Sequence, residues 1–167
     1  MEKLLVTTLL LCIANFSCSQ YLAYHVSGEK LEAAWESLIN HDYLDRVQDR
    51  STPELARVLE DAAASYDIES HRRLSQQGIQ RVMFTHTHGS VVAIYDHQGK
   101  ILRSYERFKA IRLPQKIVKM IIKKHPGWTI TGGTYQVWYR GVGKKVSKSY
   151  RVVIQKGKLK KVLRCIF

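Results

Sequence analysis

The feature that most limits how this chain can fold is a change of period near Ile79. Before it, apolar residues recur at helical spacing. After it, β-branched and aromatic residues come in runs bounded by Gly, Asp and Pro, the mark of strands joined by tight turns. Val91–Phe108 reads as two such runs joined by Asp96-His97-Gln98-Gly99, a hairpin signal. Further strands are predicted over Thr129–Arg140, Lys148–Gln155 and Leu159–Ile166. One helix interrupts them, with Leu113-Pro114 at its start and His125-Pro126-Gly127 at its stop.

Upstream, Leu31, Ala34, Trp35 and Leu38 follow a capping Ser27, which predicts a helix over Ser27–Asn40. A second helix is predicted over Ser51–Tyr66. Ser51 or Thr52 caps it, Pro53 and Glu54 form its first turn, and Leu55, Val58, Leu59 and Ala62 form its stripe. Aligning Gly99 with Gly157 places one strand–Gly-Lys–strand unit over another. The same offset carries Leu113, Ile117 and Ile121 onto Leu55, Leu59 and Ala63. The expected fold is therefore α+β: N-terminal helices, then two helix–strand–strand–strand units with the helices packed on an antiparallel sheet. The pseudo-repeats cover residues 51–108 and 113–167, and no linker divides residues 20–167.

The first residues read as a signal peptide over 1–19. Lys3 precedes an apolar-leaning stretch, Leu4–Phe16, well short of the about 20 residues a membrane span needs. Ser17-Cys18-Ser19 supplies a small-x-small cleavage site, with Gln20 as the first mature residue. Lipidation at Cys18 is a second route, against which stands Asn15 where such signals usually carry Leu. Either route exports the chain to the periplasm or the exterior, with no transmembrane helix in the mature protein. Only Cys165 then remains, so no intramolecular disulfide can form and packing alone must hold the domain.

The net charge of +13 hides a split. Residues 20–80 hold eleven acids and six Lys/Arg, whereas residues 81–167 hold twenty Lys/Arg and only Asp96 and Glu106. Three readings compete: a polyanion-binding face, a membrane or lipopolysaccharide surface, or an acidic helical layer that complements its own basic sheet. On the third predicted helix, Lys116, Lys119 and Lys123 form a cationic ridge beside an apolar stripe of Ile117, Met120 and Ile121. With Lys158 and Lys160 of the last strands they are the candidate anion- or partner-binding residues. Edge lysines also guard strands against aggregation. Tyr135, Tyr139, Tyr150, Trp128 and Trp138 are interleaved with these cations and read first as core and cross-strand pairs.

Catalytic patterns are weak. His86 and His88 would share one face of a strand, and His97 is the nearest third ligand, so a metal-binding protein or a hydrolase is a rival reading. A solvated strand end explains the same residues, and no dedicated metal site is expected. Cys165 reads as a buried, inert thiol. Paired carboxylates would have to come from Asp96 and Glu106 or cross from the acidic half. No enzyme activity and no cofactor are expected.

Residues 79–163 resemble the PepSY-like proteins of the β-lactamase-inhibitor-like group, exported proteins of Bacteroidetes-type bacteria. The matching features are Tyr95–Lys100 with its Asp-x-x-Gly-Lys, the Glu106-Arg107-Phe108 stretch, Leu113-Pro114 and His125-Pro126-Gly127-Trp128. "TYQVWYR" and "KSYRVVIQKGKLKKV" match the closing strands. The resemblance implies helix packed on antiparallel sheet, secretion, no catalytic residues, and a role in binding or inhibiting other proteins. The C-terminal half is more basic than that family usually is. The expectation is an exported, non-catalytic binding or inhibitory protein whose partner is an unknown protein or an anionic envelope component. A polyanion-binding module for lipopolysaccharide or nucleic acid is the alternative, and export argues against nucleic acid.

Overall fold

The computed structural model describes residues 22–25, 40–68 and 78–166. In chain order the elements are β1 (Leu22–His25), α1 (His41–Val47), α2 (Glu54–Ala64), β2 (Gln80–His86), β3 (Gly89–Tyr95) and β4 (Ile101–Lys109). Then come α3 (Gln115–Lys124), β5 (Thr129–Tyr139), β6 (Ser147–Lys156) and β7 (Leu159–Ile166). β2 to β7 form one six-stranded antiparallel meander in sequence order, and β1 adds beside β2 in parallel.

This architecture corrects the expected α+β fold of two helix–strand–strand–strand units. Strand far outweighs helix, and the three helices are short, at 7, 11 and 10 residues. The sheet also has no seam where two units would meet. β4 pairs directly with β5 across the connection that carries α3, from Ser104↔Tyr139 to Lys109↔Thr134. The physical reason is in the alternation. Inward positions continue in phase from Ser104, Glu106 and Phe108 on β4 to Tyr135, Val137 and Tyr139 on β5, so the two runs zip into one sheet. The expected helix at 27–40 lies, but for Asn40, outside the described residues, as does the signal segment 1–19. No helix among the described residues is long and apolar enough to cross a membrane.

One face of the sheet carries the core. Val82, Phe84, Val91, Ala93, Tyr95, Phe108, Tyr135, Val137, Tyr139, Tyr150, Val152 and Ile154 alternate inward and are buried. Phe108, Tyr135 and Tyr150 lie in one cross-strand row, with ring centroids 6.2 and 4.8 Å apart. α1 and α2 cover this face over β2–β5. Tyr43 of α1 meets Tyr139 edge-on at 5.3 Å, and the Tyr95 hydroxyl donates to the Ala63 carbonyl of α2 at 2.7 Å.

Asn40 ties these layers together. Its amide donates to the Ala64 and Gly99 carbonyls at 3.2 and 3.0 Å, and its oxygen accepts the Ile101 N–H at 2.7 Å. One buried side chain thus joins the start of α1, the end of α2 and the β3–β4 turn. α3 contributes Ile117 and Ile121, one turn apart, to the same core.

Candidate functional site

Pro114 opens α3 and no side chain caps it, so the helix is held by Ile117 and Ile121 rather than by its ends. Lys123 and Lys124 occupy its last turn, where the helix dipole favours cations. Lys116, Lys119 and Lys123 are exposed. Past the helix the chain turns at His125, whose N–H donates to the Ile121 carbonyl at 2.8 Å, and at Gly127 with φ +76.

The β6–β7 hairpin abuts this turn. A Cβ at Gly127 would lie 3.6 Å from Lys156 Nζ, and Lys124 acts on the Cys165 thiol of β7. The hairpin closes through Gly157 and Lys158, between the paired Lys156 and Leu159. Gly157 at φ +57 takes the first turn position with the sign that a II′ hairpin asks of a glycine. Lys158 and Lys160 are exposed here. All five candidate lysines therefore belong to two neighbouring elements, although their grouping came from charge alone.

The described part of the acidic half does not answer them. Among the described residues, ion pairs join Lys100 to Asp42 at 3.8 Å and Lys148 to Asp49. Asp49 is drawn to about 2: burial raises it, but hydrogen bonds from Lys148 and Ser51 outweigh that. Both pairs reach the β3–β4 and β5–β6 ends of the basic half. None of Lys116, Lys119, Lys123, Lys158 or Lys160 makes an ion pair among the described residues.

The histidines do not converge. β2 ends at His86, which pairs with Gly89, so Thr87 and His88 form the two-residue hairpin loop and His88 is not on the strand. The period-two premise for a shared face fails there. His97 lies in the turn at the other end of β3, roughly 20 Å away at about 3.3 Å per residue over its seven residues. Cys165 is half-buried and its thiol is pushed up by burial, with Lys124 pulling the other way.

A pair that sequence reading did not single out lies in the core. Glu60 of α2 and Glu106 of β4 are both fully buried. Glu106 accepts the Tyr43 hydroxyl at 2.9 Å and the Ser104 hydroxyl at 2.6 Å. Among the described residues neither Glu60 oxygen nor Glu106 Oε2 has a donor, and the two carboxyls act on each other, so a proton on one would let them bond. Burial raises Glu60 well above its ordinary value, and the Glu106 charge adds to the rise. Glu106 is raised by burial too, against the pull of its bonds to Glu60, Ser104 and Tyr43. Both carboxyls are fully buried, and their surroundings favour the protonated form of Glu60.

No family model, no curated protein and no solved structure matches this chain.

Proposed function

We propose that the chain is an exported, non-catalytic binding protein that takes a polyanionic envelope component on the basic end formed by α3 and the β6–β7 hairpin. The observation that carries the reading is the set of five lysines, all exposed, on two touching elements, with no ion pair to the acidic helices among the described residues. Like charges at i, i+3 and i, i+4 repel by a few tenths of a kcal/mol per pair, so an anion bridging them gains that relief as well as its own attraction. The signal-like first nineteen residues and the PepSY-like motifs over 79–163 support export and binding.

Heparin and lipopolysaccharide are the probes. Affinity for both should fall steeply between low and moderate salt through counterion release. Reversing Lys116, Lys119 and Lys123 to Glu should weaken binding by tenfold or more while leaving the melting temperature nearly fixed. Glu is favoured at the helix start and disfavoured at its end by about 0.3–1 kcal/mol each, so the dipole effects offset. Binding indifferent to salt, or untouched by the reversal, would refute the reading.

A further inference from the structure

The face of the sheet turned away from α1 and α2 is built in rows. Register sets Met83 beside Val92, Val92 beside Tyr105, and Tyr105 beside Trp138, one residue from each of β2, β3, β4 and β5. Three strand spacings of about 4.8 Å make this a continuous apolar track about 14 Å long. Tyr105 and Trp138 end it with ring centroids 4.6 Å apart, Tyr105 braced by a hydrogen bond from Gln136 at 3.1 Å. Trp138 is 44% exposed, unusual for a ring of that size on a sheet.

The neighbouring row is cationic. Arg81 faces Ile94, Ile94 faces Arg103, and Arg140 comes just after the end of β5 with Lys144 in the loop beyond. Together these side chains line a groove of about 620 Å³, within the range of small-molecule sites, and no carboxylate among the described residues lines it. Glu106 points to the opposite face, and Asp96 is engaged with the N–H groups of Gln98 and Lys100 in its own turn. Arg103, Arg140 and Lys144 are exposed and make no ion pair among the described residues.

We propose that this groove is a binding site for a single-chain amphiphilic anion, an acyl carboxylate of fatty-acid type. Its chain lies along Met83, Val92, Tyr105 and Trp138, and its head is held by Arg103, Arg140 and Lys144. Shape and charge together select this class. A narrow track one residue wide suits an extended chain rather than a globular partner. The cations concentrate beside the Tyr105–Trp138 end, and the guanidinium fork matches a carboxylate. A purely inorganic anion would leave the apolar track unused, and a neutral lipid would leave the arginines without a counter-charge.

The site is separate from the lysine ridge, so its test is separable too. Oleate, below its aggregation concentration, is titrated calorimetrically into the full chain, with oleyl alcohol, inorganic phosphate and anionic vesicles as parallel arms. Saturable one-to-one oleate binding is expected, at least tenfold tighter than that of oleyl alcohol, with phosphate and vesicles failing to compete at matched anion concentration. The Arg103→Gln, Arg140→Gln double variant should lose tenfold or more for oleate and little for the alcohol. Trp138→Ala should weaken both; should it fail to fold, Lys144→Gln, in a loop, should weaken oleate alone by several-fold. Equal affinity for acid and alcohol, oleate binding that survives the arginine changes, competition by phosphate, or loss in the Lys116, Lys119 and Lys123 reversal would overturn the proposal.

Discussion

Replacing Glu60 by Gln should make this protein more stable at neutral pH and remove most of the acid-pair contribution to its pH dependence. Glu60 and Glu106 both titrate higher in the fold than in the unfolded chain, where a glutamate ionises near 4.3. Above that pH the folded pair keeps a proton that the unfolded chain has given up. Stability from the pair is therefore complete below about 4.3 and is lost as pH rises, until the folded pair itself ionises. Each proton kept by the fold and lost by the unfolded chain corresponds to about 1.4 kcal/mol for every pH unit over which that difference lasts. Against a typical total of about 5–15 kcal/mol that is a large share.

The amide of a Glu60→Gln variant offers a permanent N–H to the Glu106 carboxylate, which already holds the Tyr43 and Ser104 hydroxyls. The charges that act on Glu60 from outside the pair are Lys148, which lowers it, and Asp61, which raises it; an uncharged amide is indifferent to both. Urea unfolding of both proteins at pH 5, 6, 7 and 8 is the assay. The parent should lose stability with pH more steeply than the variant, by about one proton's worth of slope, and the two curves should diverge upward in pH. As a second measurement, Tyr43→Phe removes a donor to a buried charge and should cost about 1.5–3 kcal/mol at pH 7. Parallel curves for parent and Glu60→Gln would refute the shared proton.

Gly89→Ala should destabilise the domain by about 1–3 kcal/mol, read as a lower melting temperature. Its Cβ would lie 2.5 Å from Cδ1 of Phe108, the fully buried residue directly opposite on β4, with Leu55 at 3.3 Å blocking retreat. An unchanged melting temperature would mean that the β3–β4 register is wrong. Zinc titration should show no binding tighter than micromolar, and His86→Ala with His88→Ala should change nothing, because His88 sits in the hairpin loop rather than on the strand and His97 lies at the far end of β3. One-to-one binding lost in that double variant would show a site that this arrangement does not explain.

Strands were legible where alternation was long. Those expected at Thr129–Arg140 and Leu159–Ile166 run Thr129–Tyr139 and Leu159–Ile166. α1 is not legible: seven residues carry too little periodicity, and such a helix exists because Tyr43, Leu44 and Val47 bury, not through propensity. The Thr87-His88 loop has neither Asn nor Gly to announce a two-residue turn, so pattern alone puts His88 on the strand. Glu60 and Glu106 do leave a trace. Glu106 is in phase with Phe108 on β4, and Glu60 stands one turn from Ala56 and Ala64 on the buried side of α2. The expected stripe of Leu55, Val58, Leu59 and Ala62 is rotated by about one residue from the buried one, which hides Glu60 on a face that charge alone would assign to solvent. The apolar and cationic rows of the groove depend on the register of four strands and could not be read from any one of them.

The charge split looks different once the acids are followed individually. Glu60 is buried in the core and pushed toward its neutral form, and Asp42 and Asp49 are engaged with Lys100 and Lys148. Asp45, Glu54 and Asp67 remain exposed on and beside α1 and α2, while none of the five candidate lysines, nor Arg103, Arg140 or Lys144, makes an ion pair among the described residues. These cations fall into two chemically distinct regions on different faces. On α3 and the β6–β7 hairpin, lysines project as point charges, which suits a flexible polyanion whose phosphates or sulfates need no fixed orientation. On the outer sheet, arginines border an apolar track ending in Tyr105 and Trp138, so charge alone does not satisfy the surface. Salt separates the two. Counterion release should govern the ridge throughout, whereas burial along the track should leave much of the groove's affinity intact when the ionic strength is raised. A chain with one such surface would be a basic protein of ordinary stickiness; two that respond differently to salt point to two ligands.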